Sequence, residues 1–204
     1  MSVLVVQHLR AAAEEVPALL ASARMPLLPD DRVGLEQAWL FQNIANADQF
    51  LHIEVWTSRG AFESKGASGG GRERGTPGWS PMSQPLLFHH PAISEAMGRR
   101  IKVLDATLLR LPTVPAVAPG ALTTSSLRPT YPERVLRYTY MSMDDPASLL
   151  RLQGWASEAH WERFQRETWP TFVQLYHQYR IRYAHFVGRL CVSYTGLPSW
   201  APPD

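Results

Sequence analysis

Lysine is nearly missing. Lys65 and Lys102 are the only two among 20 basic residues, and the rest are arginine. The arginines are scattered singly or in pairs and the formal net charge is +2, so there is no concentrated basic footprint for nucleic acid. Cysteine is reduced to Cys191, which excludes an internal disulfide and fits a reducing compartment. A lone Cys beside a terminal strand reads as a small buried hydrophobe. No apolar run approaches the roughly 18 residues that a membrane helix needs. The opening MSVLVVQHLR has no cationic lead and too short an apolar stretch for a secretion signal. The expectation is a cytoplasmic protein with neither membrane nor nucleic-acid partners. Metal patterns are lacking too: adjacent His89 and His90 point in different directions, and there is no Cys cluster and no His-x-x-x-His with a placed carboxylate. A Gly-x-Ser-x-Gly elbow is also absent. The glycine-rich stretch 66–78, GASGGGRERGTPG, lacks the phosphate-loop pattern and follows a helix. It reads as a surface loop or as a lid over a pocket.

What is present is a plan written twice. Residues 51–65, LHIEVWTSRGAFESK, alternate like a strand through Trp56 and then turn helical, with Ser58 at the N-cap. Residues 150–164, LRLQGWASEAHWERF, repeat the layout without a gap. Trp56 aligns with Trp155, Ser58 with Ser157 and Phe62 with Trp161, all 99 residues apart. A strand at 35–43 and a turn at 46–48 make a hairpin with the first copy; residues 135–142 and 144–146 match them.

Around these, 3–9 reads as an opening strand and 11–25 as a helix starting near Glu14, with Pro17 in its first turn. A helix is expected from Pro91, and a strand at 103–111 to close the first half. Five prolines mark 112–132 as a linker or extended crossover. Helices are expected at 157–166 and 170–186, the latter carrying an aromatic stripe through Tyr176, Tyr179 and Tyr183, then a last strand at 189–194. The fold class is α+β. The strand and helix order is that of ferredoxin-like split βαβ modules, at 1–111 and, less completely, at 134–204, joined by a linker at 112–133.

The segment Trp56-Thr57-Ser58-Arg59-Gly60-Ala61-Phe62 resembles the central motif of the antibiotic biosynthesis monooxygenase family, within the dimeric α+β barrel superfamily. Trp155-Ala156-Ser157-Glu158-Ala159-His160-Trp161 is similar to a second, diverged copy. The resemblance implies antiparallel sheets forming an α+β barrel, as an internal pseudo-dimer in one chain or as a homodimer. It also implies a monooxygenase that uses no cofactor and oxidises an aromatic or polyketide-like small molecule: a base deprotonates the substrate, and the carbanion passes an electron to oxygen. Members that bind haem carry a His three residues after the motif aromatic. Here Lys65 stands there in the first copy, and Phe164 followed by Gln165 in the second, which argues against haem.

Such a site needs an apolar pocket, a base that titrates near neutrality and donors for an oxyanion. His8 and His52 are the candidate bases. Asn43 is a candidate donor, or a turn residue. Trp39, Trp56, Phe62 and Trp155 are candidates for lining a pocket, with core packing as the competing role. The alternative function is a non-catalytic α+β barrel that binds a small hydrophobic ligand or serves as an assembly module.

Overall fold

The computed structural model describes residues 2–21, 33–67, 79–89, 101–113, 131 and 134–195. The Gly-rich stretch from 68, the helix expected from Pro91, most of the 112–133 linker and the tail lie outside the described residues. Two compact units divide the chain: residues 1–94 with 188–204, and residues 95–187.

Unit 1 contains β1 (Val3–Ala11), α1 (Val16–Ala21), β2 (Leu35–Asn43), β3 (Gln49–Trp56), α2 (Arg59–Ala67), β4 (Trp79–Pro81) and β5 (Leu86–His89). It also takes the C-terminal part of β9 (Arg182–Thr195). Strand β3 lies between β1 and β2, antiparallel to both. A central strand is covered on both faces, and β3 is buried from Phe50 to Trp56. Outside it, β4 and β5 pair with β1, and β9 pairs with β2.

Unit 2 contains β6 (Val103–Arg110), β7 (Arg134–Met141), β8 (Ser148–Trp155), α3 (Glu158–Glu167) and α4 (Trp169–Gln178), with the N-terminal part of β9 beside β6. Strand β8 lies between β6 and β7 and is buried from Leu149 to Trp155.

The two central hairpins share their local geometry. Trp56 pairs with Leu35, and a bulge follows before Gln37; Trp155 pairs with Arg134, and a bulge follows before Leu136. Asn43 Oδ1 accepts the backbone N–H groups of Ala45 and Asn46 at 2.8 and 3.1 Å. Ser142 Oγ accepts those of Asp144 and Asp145, both at 3.2 Å. Ser58 Oγ caps α2 through the Ala61 N–H at 3.1 Å, and Ser157 caps α3 through the His160 N–H at 3.4 Å. Each of these positions recurs 99 residues on.

Some expectations need correction. The strand expected at 103–111 does not close the first module. Val103 pairs with Trp155 as Val3 pairs with Trp56, so β6 stands to β8 as β1 stands to β3. The strand that pairs with β8 as β1 does with β3 therefore precedes the proline-rich segment. The helix expected over 170–186 ends at Gln178. There the Ile181 N–H reaches the Tyr176 carbonyl and the Arg180 N–H that of His177, with Arg180 left-handed at φ 53°. This pair of bonds is a Schellman stop, made without the usual glycine. Tyr179 is consequently 59% exposed, and Tyr183 lies on β9.

Gly34 fixes the junction between β3 and α2. Its φ is +87°, its carbonyl accepts the Thr57 N–H at 2.8 Å, and a Cβ there would come within 2.6 Å of Ala61 Cβ.

Candidate active site

Side chains alternate across a sheet, and directly paired residues share a face. In unit 1 that rule separates the sequence-derived candidates. His52 and Trp56 lie on one face of β3, where Phe62 of α2 meets the Trp56 ring edge-on at 6.0 Å. His8 pairs with Leu51, and Trp39 with Ile53, so both belong to the opposite face. Asn43 has its side-chain oxygen committed to the hairpin turn. Trp155 belongs to unit 2, where it packs on Phe164 and Tyr131 at 5.0 and 5.5 Å. His52, Trp39, Trp56 and Trp155 are all buried. His8 is part-buried, and burial lowers its pKa. On β3, Trp56 Nε1 donates to Glu54 Oε2 at 3.0 Å; His52 Nε2 lies 4.0 Å from Glu54 Oε1, beyond hydrogen-bond range.

The denser polar constellation is in unit 2, on the face of β6 and β8 that α3 and α4 cover. Asp105 is fully buried between apolar neighbours in VLDATLLR. A buried carboxylate needs compensation. Thr107 Oγ1 donates to its Oδ1 at 3.3 Å, Gln165 Nε2 reaches its Oδ2 at 3.4 Å, and His185 Nε2 lies 3.2 Å from Oδ1. The His185 contact is one of distance alone, since its Nε2 makes no aligned hydrogen bond. Arg151, also buried, completes the set: its Nη2 donates to Thr107 Oγ1 at 3.1 Å, so threonine bridges guanidinium and carboxylate.

Aromatic rings from α4 form the roof. Trp169 stacks on the His185 ring at 4.1 Å with 21° between planes. The Arg151 guanidinium sits 4.4 Å from the Phe172 ring centre, an attractive cation–π geometry. Burial raises the Tyr176 hydroxyl pKa, with the Arg151 charge opposing. Arg134, on the same face of β7, has its pKa lowered by burial and then by the charges of Arg137 and Arg151. Chemically, the arrangement offers an imidazole held by a buried carboxylate, a cationic donor for developing negative charge and an aromatic wall. Among the described residues there is no group of three or more potential metal ligands, and no helix is long and apolar enough to cross a membrane.

None of Asp105, Thr107, Arg151, Trp169 or His185 was singled out from the sequence as a site residue. The available signal was a charged residue in the middle of an otherwise apolar strand, at Asp105 and again at Arg151.

No protein-family model and no curated protein matches the chain. Solved structures do resemble it. An anthrone oxidase-like protein is similar at a TM-score of 0.60 and 14% identity, over 98% of this chain and 95% of that one. A proposed monooxygenase of Lactobacillus acidophilus NCFM is similar at 0.58 and 10%, over 100% and 99%. A proposed monooxygenase of Fusobacterium nucleatum subsp. nucleatum ATCC 25586 is similar at 0.52 and 6%, over 100% and 97%. The likeness is one of fold: antiparallel strands with helices, of the α+β class.

Proposed function

We propose that the chain is an oxygenase of the antibiotic biosynthesis monooxygenase type, built by internal duplication, that oxidises an aromatic or polyketide-like molecule without a metal or flavin. One observation carries the reading: buried Asp105 lies 3.2 Å from His185 Nε2, and the Trp169 ring stacks on that imidazole. The names of the similar structures, an anthrone oxidase-like protein among them, lend it support.

In this reading His185 is the base, in place of His8 or His52, and Asp105 orients it. Anthrone illustrates the step. His185 takes a proton from the ring CH2, and Arg151 stabilises the enolate oxygen. The carbanion transfers one electron to O2, and the radical pair combines to a hydroperoxide. Loss of water from the hydroperoxide leaves a C=O. The CH2 loses two hydrogens and gains one oxygen atom; the second oxygen atom leaves as water.

The test is oxygen uptake with anthrone, corrected for spontaneous autoxidation. Removal of a general base lowers such rates by about 10²–10⁴-fold. His185→Gln is expected to fall in that range, with Asp105→Asn in the same direction and His8→Gln near the parent rate. No acceleration by the parent chain with anthrone or its hydroxylated derivatives would overturn the reading, as would full activity in His185→Gln.

A further inference from the structure

The two central strands carry different chemistry at matched positions. In unit 1 the Trp56 indole N–H is taken up by Glu54, and the neighbouring β2 positions on that face are Leu35 and Ala38. In unit 2 the positions 99 residues on are Trp155, Gln153, Arg134 and Arg137, with Arg151 where unit 1 has His52. Three buried polar atoms on this face of β8 have no hydrogen-bond partner among the described residues: Arg151 Nε, Gln153 Oε1 and Trp155 Nε1. Their residues are at most 2% exposed. Buried polar atoms are ordinarily paired, and leaving one unpaired is costly. Two buried donors and one acceptor in a row, with the guanidinium groups of Arg134 and Arg137 on the same face of the neighbouring strand, suit an anionic partner.

We propose that the helix-covered face of unit 2 binds one anionic aromatic molecule per chain, an arene bearing a carboxylate beside a hydroxyl, and that the matching face of unit 1 is closed to it. The oxyanion accepts from Trp155 Nε1 and the hydroxyl beside it donates to Gln153 Oε1, with Arg151 supplying positive charge from farther along the strand. Glu54 closes unit 1 twice over: it occupies the Trp56 donor and repels an anion where unit 2 attracts one. The inference rests on the site proposed above but concerns binding alone.

Isothermal titration of the full chain with 1-hydroxy-2-naphthoate, under nitrogen, tests it. One molecule per chain is expected, with 1-naphthol at least about tenfold weaker. Gln153→Glu, which copies unit 1, should weaken the naphthoate about tenfold or more, since a charge-assisted hydrogen bond is lost. Arg134→Gln, at a half-buried position, should act in the same direction and serves if Gln153→Glu folds poorly. Glu54→Gln should leave the affinity of the unit 2 site unchanged. Two molecules per chain, no binding up to millimolar naphthoate, equal affinity for 1-naphthol, or parent affinity in both unit 2 variants would each overturn the proposal. Because oxygen is excluded, tight 1:1 binding by a chain that fails to oxidise anthrone would leave this inference standing and remove the oxygenase.

Discussion

Gly154→Ala should destabilise the protein although alanine is generally the better residue for an extended chain. Gly154 lies on β8 between Leu104 of β6 and Leu136 of β7. A methyl group there would sit 2.7 Å from Ile101 Cγ1 and Cδ1 and 2.8 Å from Leu136 Cβ. Non-bonded carbons rest at about 3.5–4.0 Å. Ile101 is only 2% exposed and has little room to withdraw, and Leu136 Cβ moves only with its strand. Overpacking of this kind costs about 1–3 kcal/mol, while the smaller freedom of an unfolded alanine returns about 0.4–1 kcal/mol. The net expectation is a loss of about 1–2 kcal/mol, read as a lower urea midpoint at unchanged slope. Ile101→Ala alone should cost about 2–5 kcal/mol. Combined with Gly154→Ala it should cost less than the sum by at least about 0.5 kcal/mol, because the new methyl enters the vacated space. Stabilisation by Gly154→Ala, or additivity within about 0.3 kcal/mol, would refute the reasoning. Val55 stands 99 residues earlier and is buried on its own strand, so the tightness at Gly154 comes from Ile101 and Leu136 around it.

Three further outcomes follow from the geometry. Phe164→Ala removes the ring that meets Trp155, Tyr131 and Phe172, and should cost about 3–5 kcal/mol in thermal or urea unfolding. Asn43→Ala and Ser142→Ala each strip a turn of its side-chain acceptor; each should lose about 0.5–1.5 kcal/mol and leave the oxygen-uptake rate unchanged. His8 has its folded pKa lowered by burial, so on acidification the unfolded chain takes up that proton first. Its contribution is intact above about pH 6.5 and is lost as pH falls toward the depressed folded value. His8→Gln should therefore gain on the parent in urea midpoint between pH 7.5 and pH 5, and a constant difference would contradict the assigned cause.

What could be read from the sequence was what is local. The alternation of β3 and β8 and the caps at Ser58 and Ser157 depend on neighbours within a few residues, and each appears where expected. Pro17 and Pro170 both fall in first helical turns, where a missing N–H costs least. The end of α4 could not be read, because its left-handed stop is an arginine and carries no glycine signal. Nor could the role of β6: a strand's partner is a long-range choice, and VLDATLLR looks the same whether it closes one sheet or opens another.

The unit 2 constellation was not legible for the same reason at a larger scale. His8 and His52 were candidates as strand histidines of the first module that titrate near neutrality, whereas His185 is singled out only by the charged groups around it. The carboxylate that reaches His185 is 80 positions earlier, on β6, and the guanidinium linked to it through Thr107 is on β8. No window of sequence holds all three. Each nevertheless violates the pattern of its own strand, and those violations are informative because burying a charge without a partner is so costly. Asp105 in VLDATLLR and Arg151 in SLLRLQGW, once read as necessarily compensated, imply each other before any coordinates are seen. Unit 1 shows the limit of that logic: buried Glu54 accepts the Trp56 indole N–H within its own strand, so a buried charged residue can be paired without any long-range partner.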